Sequence, residues 1–326
     1  MKTTLSLLTI VSAIALGGFW RAEAQQPGKV PRVGFLALKA APTSSSFFEI
    51  FRQGLRELGY IEGKNVIVEY WSRDGRPQLT ELAARLIQNK VDVIVTAGGT
   101  AAPAKSATAT VPIVFTYSGD PIEAGFIDSL ARPGRNMTGI TWLAFELVGK
   151  RLDILKEAFP RSSRVAVLAN PRHPGEEREL SETQSTARSL GITLLYHQVR
   201  STGSFDTAFD AIRKQKATGL VVFPDSVTLS QRVMIADFAV KQRLPSMFGW
   251  KEYVEAGGLM SYGPDREETL KRLAVYVDKI LKGRKPTDLP VELPKKFDFI
   301  VNLKTAKQMG LTIPPNLLVR ADRVIK

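Results

Sequence analysis

The segment Gly99–Ser106, GTAAPAKS, misses a phosphate-cradling loop of the form G-x-x-x-x-G-K-S by one residue. Such a loop needs a second glycine, whose backbone N–H groups wrap the phosphate, and then a lysine to meet its charge. Ala104 stands where that glycine must be, and Pro103 removes a donor. This argues against nucleotide binding, and no G-x-G-x-x-G follows any strand-like run, which argues against a dinucleotide fold. Two readings of Gly98, Gly99 and Thr100 remain. They form an anion site of free N–H groups at a helix start, or a plain turn with Thr100 as the helix cap.

Other residues that could do chemistry are few. There are two histidines and no cysteine, and neither H-E-x-x-H nor G-x-S-x-G occurs. A closed zinc site and a nucleophile elbow therefore lack their residues, and no metal or cofactor is expected. His173, in the loop NPRHPG, is expected to be exposed, and His197 to lie at the surface end of a strand. Asp120 and Asp225 each follow an apolar run. They could form an acid–base pair, hold a ligand amine or cap helices. Tyr117, Phe248, Trp250 and Tyr253 could stack on a planar ligand or pack internally.

These residues sit on a regular framework. Short apolar runs at 33–38, 65–70, 91–95, 113–116 and 137–141 read as strands, with helices expected over 44–58, 79–87, 100–107 and 122–130. The alternation resumes with helices at 147–159, 176–190, 205–214 and 229–242 and strands at 164–168, 193–198, 220–223 and 246–249. The fold class is α/β: two doubly wound parallel-sheet lobes joined by a hinge. The halves also echo each other, VDVIVTAGGT…VPIVFTYSGDPIEAGF against TGLVVFPDSV…LPSMFGWKEYVEAGGL. Ligands of such sheets bind beyond the carboxyl ends of the strands, so the facing strand ends should form a cleft.

The ends and the composition bound the setting. Lys2, an apolar run from Leu5 to Trp20 and Ala22-Glu23-Ala24 make a signal peptide cut after Ala24, too short for a membrane span. A periplasmic, unanchored monomer is expected. The 326 residues suggest about two domains. The net charge of +13 is spread among acids without a run of five, so nucleic acid is not an expected partner.

The run LGYIEGKNVIVEYWSRDGRPQLTELAARLIQNKVDVIVTAGGTAA resembles the ABC transporter substrate-binding family related to tryptophan- and tyrosine-binding proteins. So do SGDPIEAGFIDSLARPGRNMTGIT, YVEAGGLMSYGPD and the tail FDFIVNLKTAKQMGLTIPPNLLVRADRVI. The resemblance implies the type I periplasmic binding-protein fold, a small-molecule ligand delivered to a membrane permease, and closure about a hinge. It implies lobe 1 over 30–141 with 258–290, lobe 2 over 142–257, and a segment 291–326 that crosses the hinge. Crossings are expected near Thr141-Trp142, Ala256-Gly257 and Pro290–Pro294. Carried over by residue, ligand contacts come from Ser44, Ser45, Ser46, Gly98, Gly99, Thr100, Tyr117 and Asp120 in the first lobe. Asn170, Asp225, Ser226, Trp250 and Tyr253 supply them from the second. Hydroxyl-rich turns of amino-acid-binding members are replaced here by Ala97-Gly98-Gly99-Thr100, which weakens the case for an amino-acid ligand. A sensory ligand-binding protein, or a secreted α/β enzyme using Asp120 or Asp225, is the alternative reading.

Overall fold

The computed structural model describes residues 29–38, 47–72 and 78–326, and its main compact unit runs from Pro31 to Lys326. The signal-peptide reading and Ser44, Ser45 and Ser46 lie outside the described residues.

The first sheet is built from β1 (Arg32–Ala37), β2 (Ile67–Ser72), β3 (Val93–Ala97), β4 (Ile113–Tyr117) and β5 (Met137–Thr141). Its order is β2-β1-β3-β4-β5, and every pairing is parallel. Successive side chains of a strand point to opposite faces, so a sheet covered on both sides needs an unbroken apolar run. In β3, Val93 and Val95 enter one cluster and Ile94 the other. The helices α1 (Phe47–Glu57), α2 (Leu79–Gln88) and α3 (Ala101–Ala107) supply much of the cover. α1 buries Phe48, Phe51 and Leu55 at helical spacing against the Val93 face, whereas Leu82, Leu86 and Ala104 of α2 and α3 cover the Ile94 face. No helix forms over 122–130: the segment is a series of turns, with Gly125 at φ +66°.

The chain then builds the second sheet. In order come α4 (Phe145–Ala158), β6 (Arg164–Ala169), α5 (Glu176–Ser189), β7 (Thr193–Gln198), α6 (Phe205–Lys214) and β8 (Gly219–Val222). They are followed by α7 (Ser226–Ser230), α8 (Arg232–Lys241), β9 (Ser246–Phe248), α9 (Lys251–Glu255) and β10 (Met260–Pro264). α10 (Arg266–Leu281) packs back on the first sheet beside α1. β11 (Phe297–Asn302), α11 (Leu303–Met309), α12 (Pro315–Arg320) and β12 (Arg323–Ile325) complete the second sheet. Its order is β12-β11-β10-β9-β8-β6-β7, with only β10–β11 antiparallel among these pairs.

Three segments connect the sheets: Trp142–Ala144, Asp265, and the stretch between Leu281 and Phe297. The last runs beside β5, where the Glu292 N–H donates to Gly139 O at 3.0 Å and its carbonyl accepts from the Thr141 N–H at 3.0 Å. The second crossing lies further along than the sequence reading put it. Residues 260–264 pair with β9, so this stretch belongs to the second sheet and not to the first lobe. The resemblance implied a crossing near Ala256-Gly257, but the apolar strand after it fills the open edge of β9. One apolar cluster contains core residues of both sheets, together with Trp142 and Trp250, which meet edge to face at 5.6 Å.

Candidate ligand site between the sheets

The carboxyl ends of the strands in both sheets meet. After β4, the loop Tyr117–Asp120 is fastened to the first crossing: Trp142 N–H donates to Tyr117 O at 2.8 Å, and Ala144 N–H to Ser118 O at 2.9 Å. Opposite it stands the loop after β6. Ser118 Oγ donates to Pro174 O at 3.1 Å, and a Cβ placed on Gly119 would lie 3.2 Å from the Gly175 nitrogen. Beyond this contact, Arg178 of α5 pairs with Glu123 at 2.7 Å and reaches Asp120 at 3.5 Å, while its guanidinium lies 3.8 Å from the Phe145 ring centre.

Several residues expected at the ligand are already engaged. Gly98, Gly99 and Thr100 form one 3-10 turn, with Gly98 at φ +58°. Thr100 is fully buried; its hydroxyl donates to Ala97 O at 3.1 Å and accepts from Ala97 N–H at 3.0 Å. It makes no side-chain cap on α3, so the expected cap is replaced by a staple on the preceding strand. Asp120 Oδ1 accepts from Ile122 N–H at 2.8 Å and Glu123 N–H at 3.3 Å. Asp225 is 5% exposed and caps α7, accepting Thr228 N–H at 2.8 Å through Oδ1. Its Oδ2 takes Asn170 Nδ2 at 2.5 Å, and Asn170 Oδ1 holds Arg172 N–H at 3.1 Å. Ser226, by contrast, is exposed. Tyr253 is wholly buried, stacked on Phe248 at 4.9 Å, with its hydroxyl 2.7 Å from that of Thr228. Burial pushes the Tyr253 phenol up, and the half-buried Tyr117, edge-on to Phe126 at 4.9 Å, is raised for the same reason.

The histidines also differ from expectation. The His173 side chain is 7% exposed, with Nε2 3.5 Å from Glu179 Oε1. Glu179 is fully buried, and Arg151, 1% exposed, donates through Nε to Tyr262 O at 2.8 Å. Burial pushes the Arg151 guanidinium down to about 10, with Glu179 opposing that shift. His197 is buried on β7 rather than exposed.

Where Trp250 stands, residues that sequence reasoning passed over come together. The Arg266 guanidinium lies 4.2 Å from the Trp250 ring centre and 4.4 Å from that of Phe47, and it pairs with Glu252. Burial holds its pKa below the usual arginine value, against the pull of Glu252. One sequence signal pointed here. Arg266 is the first residue of α10, where the helix dipole disfavours a cation, so something other than the helix must keep it.

A family model described as "ABC transporter substrate binding protein" matches residues 38–325. The chain belongs to this family. A tyrosine-binding protein from Clostridioides difficile is 22% identical over 285 residues, covering 87% of this chain and 82% of that protein. Among solved structures, a conserved domain protein from Vibrio cholerae is similar at 29% identity and TM-score 0.83, covering 91% of this chain and all of that one. An ABC domain from Streptococcus pneumonia in complex with L-Trp gives 23% identity and TM-score 0.80, over 90% and 99%. The fold of this ABC substrate-binding protein is the type I periplasmic binding-protein fold. Among the described residues, no helix is long and apolar enough to cross a membrane, and no group of three His, Asp or Glu side chains could hold a metal.

Proposed function

We propose that this protein is the periplasmic receptor of an ABC uptake system. A signal peptide cut after Ala24 exports it; its two lobes close about the crossing segments on a small planar solute, and the closed form hands the solute to a membrane permease. The observation that carries this reading is the meeting of two sets of strand ends, with aromatic rings from both sides of the crossings gathered between them. A solute touching both sets binds the closed form better and shifts the population toward it.

The test is a thermal-shift screen on protein unfolded and refolded to strip carried-over ligand. The panel holds amino acids (aromatic ones first, given the ligands named for the relatives), aromatic carboxylates, sugars and nucleosides. A solute at 100 times its Kd should add about 2.7 kcal/mol. The expected result is a clear rise in Tm with one chemical class and recovery of the compound unchanged. Turnover of the compound, or no shift with any class, would overturn the reading.

A further inference from the structure

The receptor reading leaves open which side chains recognise the solute. Asp225 and Asp120, the obvious carboxylates, spend one oxygen each on a helix or turn start and the other on Asn170 and Arg178, respectively. The crossing region offers other groups. Phe47, Trp142, Trp250 and Arg266 close a ring of contacts. Phe47 and Trp142 have ring centres 6.4 Å apart, Trp142 and Trp250 5.6 Å, and the guanidinium carbon is 4.2 Å from Trp250 and 4.4 Å from Phe47. Trp142 is 8% and Arg266 5% exposed. Glu252 Oε1 pairs with Arg266 Nη1.

Three polar atoms of this cluster are shielded from solvent and have no hydrogen-bond partner: Trp142 Nε1, Arg266 Nε and Glu252 Oε2. Buried polar groups are almost always paired, and leaving a charged one unpaired is strongly unfavourable. Two of these atoms can only donate, and the third accepts. They stand on the first crossing, at the start of α10 next to the second crossing, and on the helix after β9, where a solute would couple binding to lobe closure.

We infer, on the basis of the receptor reading, that Trp142, Arg266 and Glu252 are the specificity-determining polar contacts of the cleft, and that they select a planar solute carrying an acceptor oxygen next to an N–H or O–H donor. The acceptor oxygen takes Trp142 Nε1 and Arg266 Nε. The donor meets Glu252 Oε2. The flat body lies against the aromatic rings. The Arg266–Glu252 ion pair thus uses one atom of each partner internally and leaves Arg266 Nε and Glu252 Oε2, side by side, for the solute.

The test is titration calorimetry with three probes that share the indole ring and its N–H and differ in the side chain: L-tryptophan, whose side chain has acceptor and donor, indole-3-acetate, whose side chain has only the acceptor, and tryptamine, whose side chain has only the donor. The expected order puts L-tryptophan at least tenfold tighter than either of the others. Trp142→Phe removes the N–H together with part of the ring, with tryptamine binding as the control for the lost packing, and Arg266→Met removes the fork. Each should weaken the two acceptor-bearing probes tenfold or more and leave tryptamine nearly unchanged. Glu252→Gln should weaken L-tryptophan and tryptamine but not indole-3-acetate. Equal affinity for the three probes, or wild-type affinity in a folded Trp142→Phe and Glu252→Gln, would overturn the inference and mean that the three atoms hold structural water only. If the wild type takes none of these probes but another solute raises Tm in the screen, the inference fails while the receptor reading stands. If no solute binds at all, both fail.

Discussion

At His173, burial and charge act against each other. Burial disfavours the imidazolium, but Glu179 at 3.5 Å, with Asp225 and Glu176 beyond it, outweighs burial and raises the pKa above the ordinary value. A raised folded-state pKa stabilises the protein fully below the unfolded value, about 6.5, and that contribution is lost as pH rises through the folded value. His197 is the reverse case: burial lowers its pKa despite a hydrogen bond to Gln215. Its contribution is present above about 6.5 and lost as pH falls through the folded value. The two histidines therefore act in separate windows. Urea midpoints of His173→Gln should lose the alkaline fall-off while the acid side keeps its slope. An unchanged alkaline slope would disprove the His173–Glu179 coupling. Asp225→Ala removes a cap and strands Asn170, so urea unfolding should show a loss of about 1–2 kcal/mol. A stability equal to that of the wild type would mean that the cap contributes nothing.

At the scale of elements, the strands were legible because a doubly covered strand needs an unbroken apolar run, and β1, β3, β4, β6 and β8 all have one. The helix expected over 122–130 was not legible, because in the fold Asp120 and Gly125 direct a chain of turns. The loops of the candidate site were readable as strand ends. The roles of their side chains were not: a carboxylate after a strand reads the same whether it caps a helix, as Asp225 does, or meets a ligand. Arg266 escaped notice because Phe47 stands on α1, far away along the chain, and Trp250 and Glu252 lie on the other side of β10 from it. The contact between α1 and α10 rests on Gly54, where an added Cβ would lie 2.9 Å from Ala274 Cβ and 3.1 Å from the Lys271 backbone. Gly54→Val should destabilise by about 1–3 kcal/mol through overpacking, seen as a lower Tm. A Tm at or above that of the wild type would show that the helices separate freely.

At the scale of the whole molecule, the loop after β4 is clasped to the loop and helix after β6 by one partly exposed ion-pair group, by the Ser118 hydroxyl bond to Pro174 O and by the close approach of Gly119 to Gly175. The Arg178 pairs with Glu123 and Asp120 have 40%, 65% and 20% exposed side chains, so they contribute at most about 1 kcal/mol. On the proposed hinge closure, removing them with Arg178→Ala should change the closed-to-open ratio by no more than about fivefold, since 1.4 kcal/mol is tenfold. Small-angle scattering of the ligand-free variant should report a larger radius of gyration, and the affinity of any solute that binds should drop by the same modest factor. A more compact variant, or a loss of affinity of a hundredfold, would be incompatible with so weak a clasp.

α10 leaves the second sheet after β10, covers a face of the first, and returns as β11 beside the strand it left. That route has a consequence for synthesis. The face formed by Val33, Phe35, Phe51 and Leu55 is closed by Leu270, Leu273, Ala274 and Val277. A growing chain therefore makes the first five strands early but cannot seal their core until residue 281 has emerged, so the part of the protein that is translated first is among the last to be finished.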